Sequence, residues 1–192
     1  MNPALVELVR TTLRAPRDAA GQIMALRLTR DVLWTALALV AVGNAALLFV
    51  IFQTSDTEFP LPGYVERPLA LFVIIAGMMV IYVHGMYWAG LALGGSGSLD
   101  DVLALVIWFQ ALRALAQVAI IVMSFLLPAL ALLLSLAVAV WGFWIFLNFV
   151  AAALHLASIW QAFAVLVAAA VGLIIGLGIL LTLIGLGAQG VT

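Results

Sequence analysis

The chain has 192 residues, 68% hydrophobic and 8% charged, with a formal net charge of −1 and a mean hydropathy of +1.34. A soluble domain is about one quarter charged, so this composition excludes one, and it offers nucleic acid no electrostatic footprint. With no Cys there are no disulfides, thiolate chemistry or Cys-ligated metals, and two His residues cannot make a His-rich metal site.

The chain therefore reads as an all-α polytopic membrane protein, and its elements follow in order. Residues 1–30 form a cytoplasmic Arg-rich segment. Leu5, Leu8, Val9 and Leu13 share one helical face, while Arg10, Arg14 and Arg17 share another. That pattern predicts an amphipathic helix in the membrane surface, its three Arg facing anionic headgroups. The alternative is a plain tail whose Arg residues only set topology. Pro16 suits the first turn of a second short helix. All seven basic residues are Arg, which with the Ala/Leu/Val richness reads as a GC-rich bacterial genome.

The first span covers about residues 32–52, long enough to cross a bilayer and too long for a signal-peptide core. A polar loop, Gln53–Arg67, follows, broken by Pro60, Pro62 and Gly63. Five Arg precede this span and one follows, which places the N-terminus in the cytoplasm. The second span (68–93) returns to the cytoplasm, with Tyr82, His84, Tyr87 and Trp88 in its cytoplasmic half. Gly94–Ser98 turns the chain, Ser98 caps the third span (100–127), and Asp100 and Asp101 sit at the positive end of its dipole.

From Ala114 to Leu154 a single helix would be about 60 Å long, twice the hydrocarbon thickness. Pro128 is the one strong breaker, so a tight hairpin at Leu127–Ala129 divides it, and the fourth span is 129–154. His155–Gln161 is read as a short link and 162–186 as the fifth span, loosened at its end by Gly185 and Gly187. Residues 188–192 form a tail on the outer side. Ala168, Gly172 and Gly176 make a small-residue ridge suited to close helix packing, within the chain or with a partner or second copy.

Arg113 is the only charge between Asp101 and the C-terminus. Gln110, Arg113 and Gln117 fall on one helical face. An intramembrane Arg is costly, roughly 2.5–3.5 kcal/mol on insertion scales, so it must face protein, water or an interface. Counted from the hinge, Tyr82, His84, Gln110 and Arg113 all lie about 15–22 Å deep. With Asn148 of the fourth span they define a candidate intramembrane polar cluster that binds a proton, an anion or a lipid headgroup. The simpler reading is that Arg113 bonds to neighbouring helices or snorkels to the interface. His84 and His155 more often make one structural hydrogen bond than a proton relay. Neither they nor the Asp pair form a metal ligand set, Gly94–Ser98 lacks the strand and Lys of a phosphate loop, and no cofactor site or catalytic constellation is present.

In its N-terminal segment LVRTTLRAPRDAAGQIM, five spans, Gly94-Gly95-x-Gly97-Ser98 linker and His-containing link ALHLASIWQAF, the chain resembles the Ypt/Rab-GTPase-interacting protein (Yip) family, in its bacterial branch. The resemblance implies a non-enzymatic five-span protein of the cell inner membrane, N-terminus cytoplasmic and C-terminus periplasmic. Its role would be adaptor, scaffold or lipid organiser, contacting the bilayer, anionic lipids, and a membrane partner or a second copy. Eukaryotic members are linked to Rab-type GTPases, but their Asp-Leu-Tyr-Gly-Pro-like stretch does not occur here, so GTPase binding is not carried over. The alternative from another class is a small transporter or channel using the stripe around Arg113.

Overall fold

The computed structural model describes residues 3–54 and 67–189, with side chains for residues 3–53 and 67–176. Among the described residues there are seven helices and no strand. Two short helices, α1 (Pro3–Arg14) and α2 (Pro16–Ala25), precede five long ones: α3 (Arg30–Thr54), α4 (Pro68–Ala92), α5 (Leu99–Leu126), α6 (Pro128–Ala153) and α7 (Ile159–Gln189). All five long helices are apolar and long enough to cross a bilayer. The loop expected between the first two spans (residues 55–66) and residues 190–192 of the tail lie outside the described residues.

Helix boundaries follow local chemistry. Pro16, Pro68 and Pro128 each open a helix, where a missing N–H costs nothing. Leu127 alone, extended at φ −146° and ψ 81°, separates α5 from α6. At α5 the Ser98 hydroxyl accepts the Asp101 N–H at 3.1 Å. The last link is shorter than the sequence suggests, because a capping box starts α7 early: Ser158 Oγ accepts the Gln161 N–H and Gln161 Oε1 accepts the Ala157 N–H. At its other end α7 runs on to Gln189 through both late glycines; helical propensity, which for Gly is about 1 kcal/mol poorer than for Ala, is a weak prior.

The Gly-rich turn is clasped by the end of α6. Gly94 adopts φ +87°, a conformation glycine reaches without steric cost. Ser96 N–H donates to the Leu154 carbonyl at 3.0 Å. A Cβ on Gly97 would collide with the Ala153 carbonyl, and one on Gly95 would lie 3.0 Å from the Leu154 carbonyl. The Leu154 side chain is fully buried beneath Gly90. His155, at φ +52°, ends α6 in the left-handed conformation, and Leu156 N–H returns to the Ala151 carbonyl at 2.8 Å.

These contacts, with an Arg30–Asp100 ion pair at 3.3 Å, bring the start of α3, the end of α4, the start of α5 and the end of α6 to one level, here termed the base. The main buried cluster lies within about 20 Å of it at 1.5 Å per residue. Ala19, Ala20 and Ile23 of α2 join Leu33, Leu37, Met79, Val83, Met86, residues 102–106 and most of 145–156 there. Beyond it the helices have little interior. Between Ile107 and Trp144, Ala131 alone is buried, and Phe125, Leu132 and Val140 are among many exposed apolar side chains, as expected of surface facing lipid.

Candidate functional site

The N-terminal segment is docked on the bundle. Thr12 is fully buried; its hydroxyl donates to the Leu8 carbonyl at 2.8 Å and accepts the Trp108 indole N–H at 3.0 Å. Trp141 donates its indole N–H to the Leu13 carbonyl at 3.1 Å. Arg17 Nε donates to Asn148 Oδ1 at 3.2 Å, while Asn148 Nδ2 donates to the Trp144 carbonyl at 2.8 Å. Thr12 and Asn148 are buried, where an unpaired polar group would cost roughly 1–3 kcal/mol, whereas Arg17 and the Trp141 bond lie at the exposed edge of the contact.

The Arg set expected to share one lipid-facing role is therefore divided. Arg17 reaches into the α6 face, Arg10 pairs with Glu7 at 3.7 Å, and Arg14 stands exposed at the end of α1. The apolar face is divided as well. Leu8 and Val9 are half-buried, with Leu8 packed against the core, whereas Leu5 and Leu13 are exposed.

The expected intramembrane cluster also resolves into parts. Arg113 is exposed. Its Nε donates to Gln110 Oε1 at 2.9 Å and its Nη2 donates to Asn44 Oδ1 at 3.0 Å. Asn44 is buried and its own amide donates to the Val40 carbonyl at 2.9 Å. The node thus joins α5 to α3. Gln117 is half-buried and makes no hydrogen bond among the described residues.

The other members lie elsewhere. His84 Nδ1 donates to the Val80 carbonyl at 2.8 Å, and its ring stacks on Trp34 with centroids 6.2 Å apart. Tyr82 stacks on Phe146 at 5.8 Å. Asn148 belongs to Arg17 rather than Arg113. Asn44 is the residue that sequence reading missed; its one signal is that it is the strongest polar group inside the first span. Ala168, Gly172 and Gly176 are exposed among the described residues. A Cβ at Gly172 or Gly176 would meet nothing within 4 Å. Instead α7 packs through Ala162, Val165 and Ala169, the last lying 3.8 Å from where a Gly85 Cβ would be. A gap of about 10 Å³ beside Met86 and Phe149 has room for about one water.

Five apolar spanning helices packed on a shared base define a multi-pass α-helical membrane protein. The chain belongs to the Yip1-domain family, whose sequence model, described as Yip1 domain, matches residues 10–181. That match runs from within α1 into α7 and includes Arg17, Asn44, Arg113 and Asn148. Comparison with curated proteins and with solved structures found no match to the chain.

Proposed function

We propose that this protein is a non-enzymatic scaffold or adaptor of a cell inner membrane, oriented with its N-terminus in the cytoplasm and its C-terminus in the periplasm. It organises anionic lipid or a membrane-protein partner through the docked α1–α2 hairpin. One observation carries this reading: three side-chain hydrogen bonds from Trp108, Trp141 and Arg17 hold the hairpin against α5 and α6. An amphipathic segment fixed in this way presents Glu7, Arg10 and Arg14 outward on a rigid support, and a pre-organised surface binds with less ordering cost. The small-transporter alternative has less support, because Gln110 and Asn44 already hold two N–H groups of Arg113.

The test is a photocrosslinking pull-down from native membranes, scored for proteins and lipids, on wild type and on a chain carrying Arg10→Gln and Arg14→Gln. The double variant should lose the crosslinked lipid or partner while keeping its thermal midpoint. Unchanged crosslinks, or an Arg113-dependent solute flux in proteoliposomes, would defeat the scaffold reading.

A further inference from the structure

Arg113 is permanently charged, yet α3 beyond Asp31, α4, α5 beyond Asp101, α6 and α7 contain no acidic residue to balance it. A guanidinium has five N–H donors. Nε and one Nη2 hydrogen serve Gln110 and Asn44, and the other three have no acceptor among the described residues. Asn44 is itself anchored to the Val40 carbonyl, so the head is held sideways at the α3–α5 seam with its free edge exposed. Among the described residues no acidic side chain supplies the counter-charge, which leaves this edge open to an anion.

The level of Arg113 says what can supply it. All six Trp residues lie within about 18 Å of the base at 1.5 Å per residue. Trp concentrates at the membrane–water interface. The amphipathic α1 docks at Trp108 and Trp141, about 14 and 18 Å above the base. Arg113 starts about 21 Å above the base, and its bond to Gln110, one turn back along α5, draws the guanidinium toward that aromatic layer. An intramembrane Arg at this depth is met by snorkelling and by local thinning of the leaflet, and the exposed charges of docked α1 bring polar surface to the same level of the bundle. Gln117 lies one turn deeper on the same face with its amide unused. From headgroup to tail, a glycerophospholipid offers first a phosphate and then ester carbonyls, and the Arg113–Gln117 pair offers a cationic fork and then an amide donor in the same order.

We propose that Arg113, braced by Gln110 and Asn44, binds the phosphate of an anionic phospholipid headgroup, with Gln117 donating to an ester carbonyl below it. This site is separate from Arg10 and Arg14, so it can fail or hold whatever becomes of the hairpin reading.

The test uses the full-length protein in mixed micelles titrated with phosphatidylglycerol, phosphatidylcholine or inorganic phosphate, with bound lipid counted by native mass spectrometry. Wild type should prefer phosphatidylglycerol, and millimolar inorganic phosphate should not displace it. Arg113→Gln should weaken retention on the order of tenfold, the loss of one charge-assisted contact, and Gln117→Leu by a smaller factor. The Arg10→Gln/Arg14→Gln chain should retain this lipid. If Arg113→Gln fails to fold, Arg113→Lys keeps the charge without the fork and should fall between. Equal retention by wild type and the Arg113 variants, or equal affinity for both lipids, overturns the proposal. Displacement by inorganic phosphate would overturn the lipid assignment.

Discussion

Gly97 and Gly21 should respond oppositely to the same added methyl group. At Gly97 the new Cβ meets the Ala153 carbonyl, which is backbone and cannot swing aside. Gly97→Ala should lower stability by about 1–3 kcal/mol, as overpacking does, seen as a lower thermal midpoint in detergent. At Gly21, in the middle of α2, a Cβ meets nothing within 4 Å, so Gly21→Ala should stabilise by about 0.5–1 kcal/mol. A neutral Gly97→Ala would mean the clasp is looser than its contacts imply. His155 makes a related point. Its left-handed φ at the end of α6 suits glycine, so His155→Gly should leave the melting midpoint unchanged or higher; a lower midpoint would show that the imidazole itself stabilises the fold. At this scale the face shared by Gln110 and Arg113 was readable from spacing. Asn44 was not, because a lone polar residue in a span has no periodicity and its partner lies 69 residues away.

For the helices, the informative case is α1. Its amphipathic pattern was legible, but the pattern says only that one side wants an apolar neighbour. Lipid and protein satisfy that equally, and choosing between them required Trp108, Trp141 and Asn148, all remote in sequence. Thr12 makes the docking testable. Thr12→Val keeps the shape but leaves the Trp108 N–H without its acceptor, at a cost of about 1–3 kcal/mol. Limited proteolysis should then cut between α2 and α3 more readily, and Trp fluorescence should shift as the indoles are uncovered. If neither changes, the Trp141 and Arg17 bonds and the burial of Ala19, Ala20 and Ile23 hold the hairpin without Thr12. Element order and the Pro128 hairpin were recoverable because apolar length and proline are local signals. The onset of α7 was missed because its capping box reads like linker until the Ser158–Gln161 bonds are seen.

Among the described residues, packing is concentrated at the base, and most side chains of the opposite half face outward. A chain without Cys makes this easy to probe with single substitutions. Leu26→Cys and Leu93→Cys, both exposed near the base, should react with a water-soluble maleimide, whereas Val118→Cys and Val140→Cys should be shielded by lipid. Labelling from one face of sealed vesicles also reads orientation: base positions should react from the cytoplasmic face, and a reporter fused at Thr192 should read outside. An inside reading at Thr192 would remove the proposed orientation.

The hydrogen bond between Arg17 and Asn148 spans 131 residues, and this separation has a consequence for biogenesis. At synthesis rates of 5–20 residues per second, Arg17 emerges on the order of ten seconds before its acceptor exists. Until then Arg17 has no acceptor on the bundle, and the bilayer surface is the nearest place where an amphipathic helix can wait. A segment made before the bundle is therefore seated after much of it, and the membrane serves as its holding site during translation.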